Sequence, residues 1–160
     1  MTPHPLFMVA RAGHPLAGRS ALSLSDYFEY PLAALTRLPP RILEPFRAAQ
    51  RQSANPAVLL RNFPAIECNA LPVVKDLVLG TDSIMATTLP SVQNDLESGQ
   101  LTLLGSEPWM LTRYAIITLR NQQLSAASAR FREFILEAEK TMSIDEARLL
   151  ARWAPAASSR

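Results

Sequence analysis

One cysteine, two histidines and five glycines are all that the 160 residues hold of those types. With Cys68 alone no intrachain disulfide can form, which suits a reducing compartment. Cys68 has no second Cys or His at metal-ligand spacing, and a lone Cys in an apolar segment reads as a small buried hydrophobe. Five glycines leave little room for a Gly-rich phosphate loop, and no such motif is present. No G-x-S-x-G elbow occurs either. His4 and His14 each precede a proline in turn-like segments. A general-base role for His14 would need a partner constellation that is not recognisable, so turn structure is the expectation for both. Glu67 and Asp76 are candidate paired carboxylates, with no sign in the sequence that they meet. Neither an enzymatic reaction nor a metal or cofactor is expected.

A dense basic run is also missing. Net charge is +2 and the pI about 9.0, but all basic residues except Lys75 and Lys140 are arginines, scattered from Arg11 to Arg160 among acidic residues. Binding to a phosphate backbone wants a clustered basic face. Scattered arginines read as solvated surface, with one or two available to an anionic ligand. The apolar stretches stop far short of the roughly 20 residues needed to span a membrane. Residues 1–10 carry two prolines and no basic region, a poor match to a signal peptide. A cytoplasmic location without a membrane partner is the expectation.

What the chain does have is a globular balance, 48% hydrophobic and 19% charged residues. Its length fits one domain or two small lobes, and can bury roughly 68–70% of the unfolded surface. Apolar runs with strand character are Leu6–Ala10, Pro31–Thr36, Ala65–Asn69, Ser83–Leu89, Leu101–Leu104 and Tyr114–Leu119, the last having the clearest pattern. Between them lie helical segments. Ser23 and Asp26 stand at capping-box spacing ahead of Leu24–Phe28. Pro45, placed in a first turn, allows a helix to about Gln52, after which 54–62 reads as loop or weak strand. Pro72 and Gly80 bracket Leu71–Leu79, and Pro90 and Gly99 bracket another short helix. Ser125 caps a long amphipathic helix with Ala127, Phe131, Phe134, Ile135 and Ala138 on one face. Ser143 and Glu146 form a capping box for a final helix of their own. Strand–helix alternation of this kind predicts an α/β fold with a mixed sheet flanked by helices, and ligands beyond the carboxyl ends of its strands.

Three segments carry a family likeness: VARAGHPLAGR with LSLSDY and YPLA (9–33), IECNALPVVKDLVLGTDSIMATTLPSVQNDLESGQLTLL (66–104), and TRYAIITLRNQQLSAASARFREFI (112–135). In that order and spacing they resemble the effector-binding domain of LysR-type transcriptional regulators. The resemblance implies a type II periplasmic-binding-protein-like fold, two α/β lobes with the effector in the cleft between them. It implies that residues 5–108 are the second lobe, complete. Residues 109–140 would be the returning strand and helix of a first lobe present only in part, and 141–160 a C-terminal extension. The family's helix-turn-helix is not in this sequence, so the expected chain is a fragment or a truncated regulator whose DNA contact belongs to that absent domain. Apolar surface left by a partial lobe predicts a homo-oligomer, unless the helix at 143–153 covers it.

The resemblance also points to a site. The loop after PLAAL carries Thr36, Arg37 and Leu38 just before a helix, and the family's equivalent loop often contacts the effector. Unpaired helix N–H groups with an adjacent Arg suit an anion. Asn69 and Thr88, at the ends of the third and fourth of these strands, would face the same crevice. Alternatively, Thr36 serves its turn, and Asn69 and Thr88 cap the following helices. A stand-alone small-molecule-binding module of the same fold, or a small enzyme on a truncated α/β scaffold, are the rival functions.

Overall fold

The computed structural model describes residues 1–35, 38–120 and 123–153. Its centre is a five-stranded mixed sheet in the order β4-β3-β5-β2-β6. These strands are β2 (Phe7–Arg11), β3 (Leu32–Leu35), β4 (Ile66–Cys68), β5 (Ile84–Thr87) and β6 (Leu101–Gly105). β3 runs parallel to both β4 and β5, whereas β2 is antiparallel to β5 and β6. A separate antiparallel pair joins β1 (His4–Pro5) to β7 (Leu111–Thr112).

The alternation of side chains along a strand divides the core in two. Met8, Ala10, Leu32, Ile84 and Ala86 face one side and pack with Phe28, Ile42 and Phe46. Phe7, Val9, Ala33 and Met85 face the other and pack with Val74, Val78, Leu89 and Val92. Met8 and Val9 are wholly buried, as a strand covered by helices on both faces requires. Each such side chain removed from water stabilises the fold by roughly 1.5–3 kcal/mol.

The first core is covered by α1 (Leu24–Tyr27), α2 (Pro40–Arg51) and α3 (Pro56–Leu59), the second by α4 (Leu71–Gly80), α5 (Leu89–Glu97) and α6 (Ala126–Trp153). Asp26 binds the Ser23 backbone N–H at 2.8 Å, as the capping-box spacing predicts. The helix expected to start near Pro45 begins five residues earlier, with Pro40 as its first residue and Pro45 inside it. Burial of Ile42, Leu43 and Phe46 outweighs the one ladder bond that Pro45 cannot donate. The stretch read as loop or weak strand contains α3, where Asn55 Oδ1 accepts the Ala57 N–H at 3.0 Å and Val58 is buried.

Two larger departures involve the C-terminal third. Tyr114–Leu119 is not a strand: residues 113–120 have no regular pairing, and Ile117 is 92% exposed. Strand propensity is realised against a neighbouring strand, and β7 ends at Thr112. The two helices expected between Ser125 and Trp153 are one, because no Gly or Pro interrupts 126–153. Ser125 does cap it, its Oγ accepting the Ser128 N–H at 3.2 Å. The anticipated apolar face is open to solvent, with Phe131 and Phe134 both exposed. The docked residues are instead Glu139 and Glu146, against His4 of β1, and Leu149 with half-buried Trp153, which seat the end of α6 in the second core beside α5. No described helix is long and apolar enough to cross a membrane.

Candidate effector-binding edge

Parallel pairing sets the site's geometry. Leu35 on β3 is the register partner of Cys68 on β4, and Ala33 that of Met85 on β5. The three strands therefore deliver their carboxyl ends to one edge of the sheet, and each chain then turns into a helix: α2, α4 or α5. Each helix has proline within its first two residues and none has an acidic residue in its first turn. Proline fits there because a first-turn N–H has no partner inside the helix. No carboxylate within those first turns offsets the partial positive charge of the three N-termini.

Of the candidate residues, Leu38 is half-buried beside the start of α2, Asn69 is exposed directly after β4, and Thr88 is half-buried directly after β5. Thr36 and Arg37 lie outside the described residues. The helix-capping alternative does not hold for Asn69, since Ala70 occupies the N-cap of α4. Thr88 is the N-cap of α5, but its hydroxyl lies 2.9 Å from the Ser91 hydroxyl rather than closing on a backbone N–H. Cys68 Sγ accepts weakly from the Ala70 N–H at 3.5 Å.

Two of the clefts among the described residues lie away from this edge. One, of about 350 Å³, opens at the amino ends of β3 and β4 among Phe28, Tyr30, Arg61 and Phe63. The other, of about 600 Å³, runs between Ile116–Leu119 and the first turns of α6. His14 is structural, as expected. Its Nδ1 accepts the Leu16 N–H at 3.0 Å and its Nε2 lies 3.1 Å from the Asp82 carbonyl. Glu67 and Asp76 are both exposed, and no cluster of three or more metal-ligating side chains is found among the described residues.

His4 departs from the turn reading. It sits on β1, buried, between Glu139 and Glu146. Partners more than 130 residues apart leave no local signal; only the two-turn spacing of the glutamates on an otherwise apolar face hints at it.

The LysR substrate binding domain profile matches residues 1–140. The chain belongs to that family. An SDS degradation transcriptional activation protein from Pseudomonas sp. (strain ATCC 19151) is 30% identical over 138 residues, covering 83% of this chain and 42% of that protein. A Pseudomonas aeruginosa protein assigned to the LysR family of transcriptional regulators superposes with a TM-score of 0.60 at 18% identity, over 86% of this chain and 46% of that one. The effector domain of the transcriptional regulator AmpR of P. aeruginosa gives 0.53 at 16%, over 92% and 65%. The chain thus spans less than half the length of the first two relatives. The fold is that of the LysR effector-binding domains, type II periplasmic-binding-protein-like.

Proposed function

We propose that this chain is the effector-sensing part of a LysR-type transcriptional regulator and takes a small anionic molecule at the carboxyl edge of β3, β4 and β5. Thr36, Arg37, Leu38, Asn69 and Thr88 are the proposed contacts. Residues 5–108 serve as the second lobe, 109–140 as the returning part of the first, and 141–160 as an extension. Effector binding shifts the balance of lobe arrangements and, through a helix-turn-helix outside this chain, the DNA-bound geometry. The chain senses its ligand and does not transform it.

One observation carries the reading: three helix N-termini share a sheet edge with no acidic residue in any first turn. Such an edge offers N–H donors and uncompensated positive charge to a carboxylate or similar anion. The exposed Ile117, Leu119, Phe131 and Phe134 support self-association as well, since the end of α6 packs on α5 and leaves them open. A thermal-shift screen of small carboxylates tests the proposal, because a ligand of the folded state alone raises the melting temperature. Stabilisation by a subset of anions supports it; a flat response across the set counts against it.

A further inference from the structure

His4 lies between two glutamates that project from α6 two turns apart. Its Nδ1 is 2.8 Å from Glu146 Oε2 and its Nε2 is 3.1 Å from Glu139 Oε1. The His4, Glu146 and Glu139 side chains are 1%, 6% and 9% exposed. The Thr2 N–H donates to the same Glu139 oxygen at 3.0 Å. A neutral imidazole has one N–H and one lone pair, and can donate to only one of the two carboxylates. The other would then face a lone pair. Both contacts therefore need one proton more than a neutral histidine and two carboxylates provide, either as imidazolium or as a protonated glutamate opposite the bare nitrogen.

The His4 contacts stand at the start of a longer docked stretch. Beyond the glutamates, Leu149, Leu150 and Trp153 pack into the second core, and Arg152 reaches Glu97 of α5 at 3.3 Å. α5 in turn starts at the candidate edge. We propose that His4, Glu139 and Glu146 form a proton-dependent clasp, which fastens the C-terminal half of α6 to β1 and α5 when protonated and loosens it when the proton leaves.

The surroundings favour such a device. Facing His4 are Glu139 and Glu146 from α6 and the Tyr114 ring, 5.5 Å away and just past β7. Met1 lines a cleft with Tyr114 and Glu139. Among the described residues, His4 is the one cation within ion-pair distance of either glutamate. Glu146 Oε1 is buried without a hydrogen-bond partner among those residues. Losing the proton leaves two buried carboxylates without a countercharge, an arrangement that proteins relieve by moving or opening. Burial alone would lower the His4 pKa, but hydrogen bonds to Glu146 and Glu139, with their charges, hold it above its ordinary 6.5. The clasp thus closes below that range and opens as pH rises through the folded value.

The test is an imidazole NMR titration of the whole 160-residue chain, with amide exchange followed over the same pH range and corrected for intrinsic rates. His4 is expected to titrate above 6.5, with protection of residues 142–153 falling about tenfold or more across the same midpoint, the size of one lost charge-assisted contact. Protection in β2 and β5 should hold. Glu139→Gln lets a neutral imidazole keep both partners, donating to Glu146 and accepting from the carboxamide N–H in exchange for the Thr2 contact, and is expected to reduce the pH dependence while leaving residues 142–153 protected. Titration at or below 6.5, or equal pH dependence in the parent and Glu139→Gln, would overturn the clasp. His4→Gln gives a second check, with the same loss of pH response expected.

Discussion

Leu35 and Cys68 are register partners on parallel strands, so the chain leaves both at the same edge of the sheet. From Leu35 the chain goes on to α2, and from Cys68 through Asn69 to α4. This relationship makes residues more than 30 positions apart candidates for a single ligand. Replacing Arg37 with Ala is expected to weaken binding of an anionic effector about tenfold or more, equivalent to roughly 1.5–3 kcal/mol. A contact made only to the ligand predicts that melting changes little, by under about half a kcal/mol. Calorimetry showing unchanged affinity would make Arg37 plain solvated surface. A sharp drop in melting temperature would make it a structural ion-pair partner.

Leu149 lies beyond the residues matched by the family profile, yet it is buried with Val78, Leu89 and Val92. Leu149→Ala is expected to destabilise the chain by about 2–5 kcal/mol through lost burial and a cavity. Phe131→Ala, on the open face of the same helix, should change stability by less than about half a kcal/mol. Urea midpoints measure both. Equal small effects would mean that the end of α6 is not docked.

Stability should also depend on pH with a definite sign. His4 binds its proton more tightly folded than unfolded, so its contribution is fully present below about pH 6.5 and is lost as pH rises through the folded value. Denaturation at pH 6 and pH 9 measures this. The expected midpoint is lower at pH 9, with the difference reduced in His4→Gln. A parent chain whose midpoint rises between those pH values would contradict the assignment.

The fold was legible wherever a local pattern sufficed. The runs around Val9, Ala33 and Met85 became central strands because both their faces are covered, and Pro72 and Pro90 marked the starts of α4 and α5. Tyr114–Leu119 misled because its strand pattern expresses a preference for pairing that no described neighbour meets. Ser143 and Glu146 matched a capping box by spacing, but in an uninterrupted helical run Glu146 turns inward to His4. Pro45 was read as a start because local sequence does not report the burial of Ile42 and Phe46. Of the candidate edge, the positions of Asn69 and Thr88 just past β4 and β5 were legible from the strand patterns, and the shared edge follows from the parallel pairing. The His4 cluster depends on contacts across the whole chain, and its one local trace is the two-turn spacing of Glu139 and Glu146.

The exposed apolar residues predict association. Ile117 and Leu119 lie in the unpaired segment, and Phe131 stands on the nearby turns of α6. Sedimentation velocity is expected to show dimers or larger species at micromolar concentration, with Ile117→Lys and Phe131→Glu shifting the population toward monomer. A clean monomer in the parent chain would remove this expectation.

The central claim is that a small anion binds where β3, β4 and β5 end. An amide chemical-shift titration of the isotope-labelled chain, using a carboxylate that raises its melting temperature, tests it most directly. The account predicts saturable shifts concentrated at residues 36–40, 69–74 and 88–92. Shifts confined to 116–135, or to the cleft around Arg61, would contradict it.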